Sequence, residues 1–211
     1  MITETSSFFI PNQCLFGSYP TQEDLGKLEN WGVDIIVNLT SYFEKKIKPY
    51  TTTVKVVYFT IPDRGIPLDV LKFCAFIVHL VNEINQNKKI YIHCKGGHGR
   101  AGLVVASLLC YKTKMPPSIA LMQTSMYHSL RPVHSYNKKS NIYRKKKGSP
   151  QTLQQKQFVF ELFKPFIVDT NLRCKIQKEY DTYIMNTYLR NIYNTELELY
   201  REKLFKKLNF N

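Results

Sequence analysis

The sequence predicts an α/β fold: a central, mostly parallel, twisted sheet of about four to five strands flanked by helices, with an extra C-terminal helical tail. Three observations carry this. Over the first 115 residues, short β-rich runs alternate with helical patterns. A buried apolar run at 89–93 leads through a glycine-rich turn straight into another at 100–111. After Met115 the pattern becomes mainly helical.

Each element has its own signal. Residues 15–18 read as a short strand. Thr21-Gln22-Glu23-Asp24 is a capping box opening a helix that Gly32 ends. Residues 33–39 (VDIIVNL) and 54–60 (VKVVYFT) read as buried strands. Residues 67–86 carry apolar side chains at helical spacing, with Pro67 near the start. Residues 89–93 form a strand and 100–111 a buried helix. Segments 117–130 and 152–165 read as helices, and 170–208, without Gly or Pro, as one long helix or two shorter ones. The organisation expected is one domain over 1–168 and a helical extension over 169–211 that is not an independent domain. Residues 131–150 read as a linker-like loop. There Lys138, Lys139, Arg144, Lys145, Lys146 and Lys147 carry six positive charges without an acid, either as a solvated loop or as an anion-binding rim.

Bulk properties narrow the class. The chain has 211 residues, 44% of them apolar, enough for a substantial core. Five cysteines at irregular spacing, with no CxxC pair, argue against a disulfide framework or zinc site and for a reducing compartment. The N-terminus has no signal-peptide pattern, and no apolar run is long enough to span a bilayer. A cytoplasmic protein without metal or cofactor is expected. The net charge of +14, from 30 Lys and Arg against 16 Asp and Glu, favours anionic partners: phosphorylated protein, nucleic acid or an acidic membrane surface. Heavy use of Lys, Asn, Ile, Tyr and Phe also fits an AT-rich genome.

The chemistry concentrates in His93-Cys94-Lys95-Gly96-Gly97-His98-Gly99-Arg100. A free thiol has a pKa of about 8.5 and attacks only once ionised. Set just before a helix, with glycines letting backbone N–H groups turn inward, the Cys94 sulfur meets aligned dipoles that favour a thiolate. The same dipoles favour a phosphate, so Lys95, Gly96, Gly97, His98 and Gly99 form one cradle for nucleophile and substrate. Arg100 can clamp two phosphate oxygens and hold the charge that spreads over them during transfer. The reaction implied is attack by Cys94 on phosphorus, giving a phosphocysteine that water cleaves. Rival readings fit less well. GxGxxG at 97–102 suggests a dinucleotide site, but no Asp or Glu follows Gly102 until Glu161 and no strand pattern follows the helix. A nucleotide P-loop lacks Lys-Ser/Thr after its last glycine. A merely buried cysteine before a glycine turn leaves three glycines and an arginine unexplained.

This segment resembles the HCxxGxxR signature of the cysteine-dependent protein tyrosine phosphatase superfamily, and most of residues 8–165 is similar to its dual-specificity-like branch. The composition and small size suggest a member encoded by a large DNA virus, acting in the host cytoplasm. The resemblance implies roles for further residues. Asp63, in Ile61-Pro62-Asp63-Arg64-Gly65-Ile66-Pro67, is similar to the family's general-acid loop; Asp69 and Glu44 are the fallback acids. His93 would hydrogen-bond within the loop and help keep the sulfur ionised. Gln151-Thr152-Leu153-Gln154-Gln155 looks like the QTxxQ loop, in which Gln151 orients water and Gln155 supports it; Thr152 could equally be a helix N-cap. Lys95 and His98 are similar to the basic positions of phosphoinositide phosphatases, though Lys95 could also point away. One departure stands out. Ala101 replaces the usual Ser or Thr whose hydroxyl donates to the departing sulfur, which implies slow hydrolysis of the intermediate.

The function expected is a protein phosphatase acting on phosphotyrosine, with phosphoserine and phosphothreonine also within reach. The alternatives are an RNA 5′-triphosphatase or phosphoinositide phosphatase using the same residues, with the 138–147 charges as contacts, and a catalytically retired phosphate-binding module.

Overall fold

The computed structural model describes residues 2–41, 44, 47–136 and 138–168. The expected helical tail over 169–211 lies outside the described residues. Five strands form one sheet in the order β1-β2-β5-β3-β4: β1 Ser6–Ile10, β2 Cys14–Gly17, β3 Ile35–Asn38, β4 Lys55–Tyr58 and β5 Ile90–His93. β2, β5, β3 and β4 run parallel. Only β1 is antiparallel, hairpinned to β2 through a turn in which Asn12 takes φ 57°. β1 is the strand that the sequence reading missed. Its signal is five residues beginning with two serines, and its pairing with β2 decides it.

The central strands β2, β3 and β5 are buried along their whole length, as expected of parallel strands covered on both faces. Side chains alternate between faces. Leu15, Ile36 and Tyr91 sit side by side in the register and pack with Leu25 and Leu28 of α1 (Gln22–Trp31). That helix has the capping box its sequence promised. The Thr21 hydroxyl accepts from the Asp24 N–H, the Asp24 carboxylate accepts from the Thr21 N–H, and Gly32 closes the helix at φ 82°. The helix α3 (Arg100–Thr113) packs on β2 and β5 and touches α2 (Val70–Asn85), α4 (Pro117–Ser129) and α6 (Leu153–Val168). It is buried from Arg100 to Tyr111, so its all-apolar sequence reads as a core helix.

Three expectations need correcting. The strand β4 is not buried: it lies at the edge of the sheet, with Lys55 and Tyr58 exposed. The helix α2 starts at Val70 rather than Pro67, because the Asp69 carboxylate accepts from the Lys72 N–H at 3.0 Å and caps it. The basic run is not a loop but the helix α5, Lys138–Lys147. It holds no Gly or Pro, and Lys and Arg are good helix formers.

The register fixes where function can sit. Gly17, His93, Asn38 and Tyr58 lie at one level across four parallel strands, so the segments that follow leave from the same end of the sheet.

Candidate active site

Cys94 is the first residue after β5, and Arg100 opens α3; residues 95–99 bridge them. The carbonyls of this loop are taken up from outside. Lys95 O accepts from the Tyr19 N–H at 3.1 Å, Gly97 O from Arg131 Nη1 at 2.9 Å, His98 O from Ser149 Oγ at 2.5 Å and Gly99 O from the Leu103 N–H at 2.9 Å. In a trans, planar peptide the next N–H points opposite to the carbonyl. The N–H groups of Gly96, His98, Gly99 and Arg100 therefore point away from those partners, toward the pocket that these four residues line. Four inward amides at a helix N-terminus make an anion cradle.

Gly97 allows the loop to lie so close to the sheet. It takes φ +70°, and a Cβ there would stand 2.4–2.6 Å from the backbone of Gly17 and Ser18 at the end of β2. Since backbone cannot swing aside, Gly97→Ala is expected to cost at least about 2 kcal/mol and to abolish phosphate binding. Chemical denaturation and phosphate calorimetry check this; a variant with parental stability contradicts it.

The pocket, about 240 Å³, is lined by Asp63, Arg64, Cys94, Lys95, Gly96, His98, Gly99, Arg100, Arg144 and Gln151. It thus gathers most of the residues singled out from sequence. Cys94 is buried. Arg100 is the electrostatic centre. Its Nη1 and Nη2 donate to the two Glu44 oxygens at 2.6 and 2.7 Å, its Nη2 also to Asp63 Oδ1 at 2.9 Å, and its Nη1 to Ile61 O at 3.3 Å. Burial opposes the guanidinium charge, but the Glu44 hydrogen bonds, the Cys94 sulfur and the Asp63 carboxylate outweigh it, and the net pKa shift is upward. The two carboxylates are not equivalent. The Glu44 side chain is 10% exposed and that of Asp63 60%. Glu44 grips the guanidinium from within the protein, while Asp63 rests on it from the solvent side.

Of the fallback acids, Asp69 is a helix cap and does not line the pocket. Glu44 is the fixed partner of Arg100, a role that the sequence reading did not assign it. Fifty-six residues separate the two, so only the fold brings them together.

The QTxxQ segment divides its work. Gln151 lines the pocket. Gln155 is buried instead: its Nε2 donates to Gly65 O at 2.9 Å, and its Oε1 accepts from the Thr152 N–H at 3.2 Å. The Thr152 hydroxyl accepts from the Gln155 N–H at 3.1 Å, so Thr152 caps α6 in a reciprocal box. Gln155 is a strut between the start of α6 and the Asp63 loop.

Behind the cradle lie Arg131, His128 and His134, which the sequence alone did not single out, together with His93 and His98, which it did. Arg131, buried, donates to Gly97 O and Phe16 O at 2.9 Å and lies 4.2 Å over the Phe16 ring. Burial pulls its pKa down to about 10. It fell within the supposed linker, and only its Arg-Pro context set it apart. His98 meets His128 through Nδ1 and Nε2 at 2.8 Å, and His134 Nε2 donates to His128 O at 2.9 Å. His93 is buried with its Nε2 2.9 Å from the Tyr50 hydroxyl. Burial pushes the pKa of His93 and His98 down to about 3 and that of His128 to about 2, with Arg131 and Arg144 adding to the effect at His98 and Arg131 to that at His128. These rings stay neutral in the folded protein but protonate near 6.5 when unfolded. Below that pH the unfolded state binds more protons, and stability falls with acid by about 1.4 kcal/mol per pH unit for each ring. Urea unfolding at about pH 7 and about pH 5 should register this, and His128→Gln should flatten the slope. Equal stability at the two values contradicts it.

Of the basic run, Arg144 lines the pocket, while Lys145, Lys146 and Lys147 are exposed and Lys139 is exposed one turn earlier. The side chain of Lys138 lies outside the described residues. Cys14, Cys74, Cys94 and Cys110 are free thiols; Cys174 lies outside the described residues. No described helix is long and apolar enough to cross a membrane.

Comparison with known proteins fits this geometry. The family model for the Swiss Army Knife protein DSP-PTPase phosphatase domain matches residues 3–159. The chain is 40% identical over 142 residues to "Putative tyrosine phosphatase 197R" of Invertebrate iridescent virus 6, covering 61% of this chain and 53% of that protein. It therefore spans about half the length of that relative. It is 33% identical over 181 residues to "Putative tyrosine phosphatase 067L" of Invertebrate iridescent virus 3, covering 83% of this chain and 72% of the relative. Both relatives are viral, the kind of source that the composition suggested. Among solved structures, Tk-PTP in its active form superposes with a TM-score of 0.60 at 25% identity, over 76% of this chain and 97% of its own. PTPMT1 in complex with PI(5)P shares the fold, with a TM-score of 0.57 at 17% identity over 75% of this chain and 94% of its own. With the domain model covering 157 residues and the cysteine-to-arginine cradle at the end of a parallel sheet, the chain belongs to the dual-specificity and tyrosine phosphatase domain family.

Proposed function

We propose that this chain hydrolyses phosphotyrosine in proteins, with phosphoserine and phosphothreonine as further substrates, through a phosphocysteine intermediate. The observation that carries the reading is the meeting of Cys94, Arg100 and Asp63 in one pocket below four inward amides. Cys94 Sγ, as thiolate, attacks phosphorus; the S–P bond forms as the bond to the ester oxygen breaks. Asp63 gives its proton to that oxygen, which leaves as the free hydroxyl. The Asp63 carboxylate then takes a proton from a water that Gln151 helps to orient. That water attacks phosphorus, the S–P bond breaks, and phosphate leaves with the thiolate restored. Arg100 carries the charge on the equatorial oxygens in both steps. The substrate phosphate takes over the Nη2 contact from exposed Asp63, while the more enclosed Glu44 keeps the guanidinium in plane.

A second reading has an observation of its own. Arg144 brings a further cation to the pocket lining, beside Gly96. It supports a phosphoester with additional anionic groups, an RNA 5′-end or a phosphoinositide, as the alternative substrate. Assaying the purified protein side by side on a phosphotyrosine peptide, 5′-triphosphate RNA and phosphoinositides separates the two. The largest kcat/KM is expected on the peptide; no hydrolysis of any of them, with binding retained, leaves a phosphate-binding module.

Ala101, fully buried after Arg100, gives a kinetic prediction. Without a hydroxyl to donate to the departing sulfur, hydrolysis of the phosphoenzyme is the slow step. Rapid-quench assays should register a burst of one equivalent of product, and Ala101→Ser should remove the burst while raising turnover about tenfold. No burst in the parent protein, with turnover equal to that of the serine variant, rejects this.

A further inference from the structure

We propose that the rim of the pocket is a docking surface for an anionic membrane. Charge is the first ground. Between Glu83 and Glu161 the chain has no acidic residue but 14 Lys and Arg, and this stretch supplies the cradle, α5 and the start of α6. The second ground is apolar exposure in the same place. Leu68 and Leu71, 88% and 75% exposed, follow pocket-lining Arg64 by four and seven residues. Leu153, 71% exposed, follows pocket-lining Gln151 by two. The bond from Gln155 to Gly65 and the contact of the Thr152 hydroxyl with Arg64 O hold these two segments together. Ile142 and Tyr143, 71% and 57% exposed, precede pocket-lining Arg144 on α5.

The geometry of α5 supports this use. At 100° per residue, Asn141, which bonds the backbone N–H of His134 and Ser135, and Arg144 turn to the body of the protein. Ile142, Tyr143, Lys146 and Lys147 then share the outer face. A short helix with several Lys beside an aliphatic and an aromatic side chain fits the polar–apolar boundary of an anionic bilayer, where each nearby Lys or Arg is worth about 1 kcal/mol. Nucleic acid would use the same cations, but its bases stack on rings. Three exposed leucines around the mouth have no partner there, whereas acyl chains accept them. Docked in this way, the pocket opens onto the bilayer surface, so the phosphoesters that reach it are those displayed there.

The surface does not depend on the chemistry proposed for the pocket, and its test involves no turnover. The full chain is sedimented with phosphatidylcholine vesicles and with vesicles containing about 30 mol% phosphatidylserine at about 0.15 M salt. Binding is expected to the second only. Lys145→Gln/Lys146→Gln/Lys147→Gln should weaken it about 10²-fold, and Leu68→Ser/Leu153→Ser about tenfold or more, each with an unchanged melting temperature. Absence of binding to the anionic vesicles overturns the proposal. So does binding that ignores the leucine changes while single-stranded RNA binds more tightly than the vesicles do; the surface then reads nucleic acid.

Discussion

Cys94→Ser is expected to lose phosphatase turnover by on the order of 10⁴-fold or more while still binding a phosphotyrosine peptide. The loss follows from the weakness of a hydroxyl nucleophile with no base beside it. No other described cysteine can substitute: burial pushes Cys14, Cys74 and Cys110 up to about 12, 11 and 12, so they stay protonated, and none lines the pocket. Binding persists because the anion is held by the amides of Gly96, His98, Gly99 and Arg100 and by the guanidinium, none of which involves the sulfur. Steady-state assays with calorimetry on the same preparation check both halves. A serine variant that retains a tenth of the turnover, or that no longer binds the peptide, contradicts the assignment.

Glu44→Gln should be the most damaging change outside the signature segment. Arg100 is buried, the Glu44 side chain is only 10% exposed, and the two are joined by two short hydrogen bonds. An amide in place of the carboxylate removes the charge and turns one donor toward another. Breaking a buried pair from one side costs about 3 kcal/mol, since the remaining charge stays in place without its counterion. Activity suffers separately. With its inner edge no longer gripped, the guanidinium loses the fixed orientation from which it meets the phosphate, and kcat/KM is expected to fall about 10²-fold. A purely structural role would lower the melting temperature and leave the inhibition constant of vanadate unchanged. We expect that constant to rise as kcat falls. An unchanged vanadate affinity contradicts a positioning role.

Much of the fold and of the site was legible because its signals are local. The capping box at Thr21, the apolar run before Cys94 and the glycines after it are read within a few residues, and β3, β4 and β5 fall within one or two residues of their expected limits. What escaped depends on distant partners. β1 is a strand through its pairing with β2. The basic run is a helix against the body of the protein, where its charges alone suggested a loop. Arg131 and His128 read as ordinary polar residues until the fold buries them behind the cradle. Glu44 could be named as a carboxylate near the site, but a sequence does not reveal that it faces an arginine fifty-six residues on. Gln155 reads by its motif as a support for the water-orienting Gln151, but the partners of its amide, Gly65 and Thr152, are set by the fold.

The alignment of Gly17, Asn38, Tyr58 and His93 also has a practical meaning. The nucleophile's loop leaves from one end of the sheet, and the opposite end is merely where chain re-enters it. The reverse bend at Asn87, with φ 61° between α2 and β5, belongs to that quiet end. A fluorescent reporter or purification handle spliced in there would leave the reactive end undisturbed, giving a tagged protein whose kinetics could be compared directly with those of the parent.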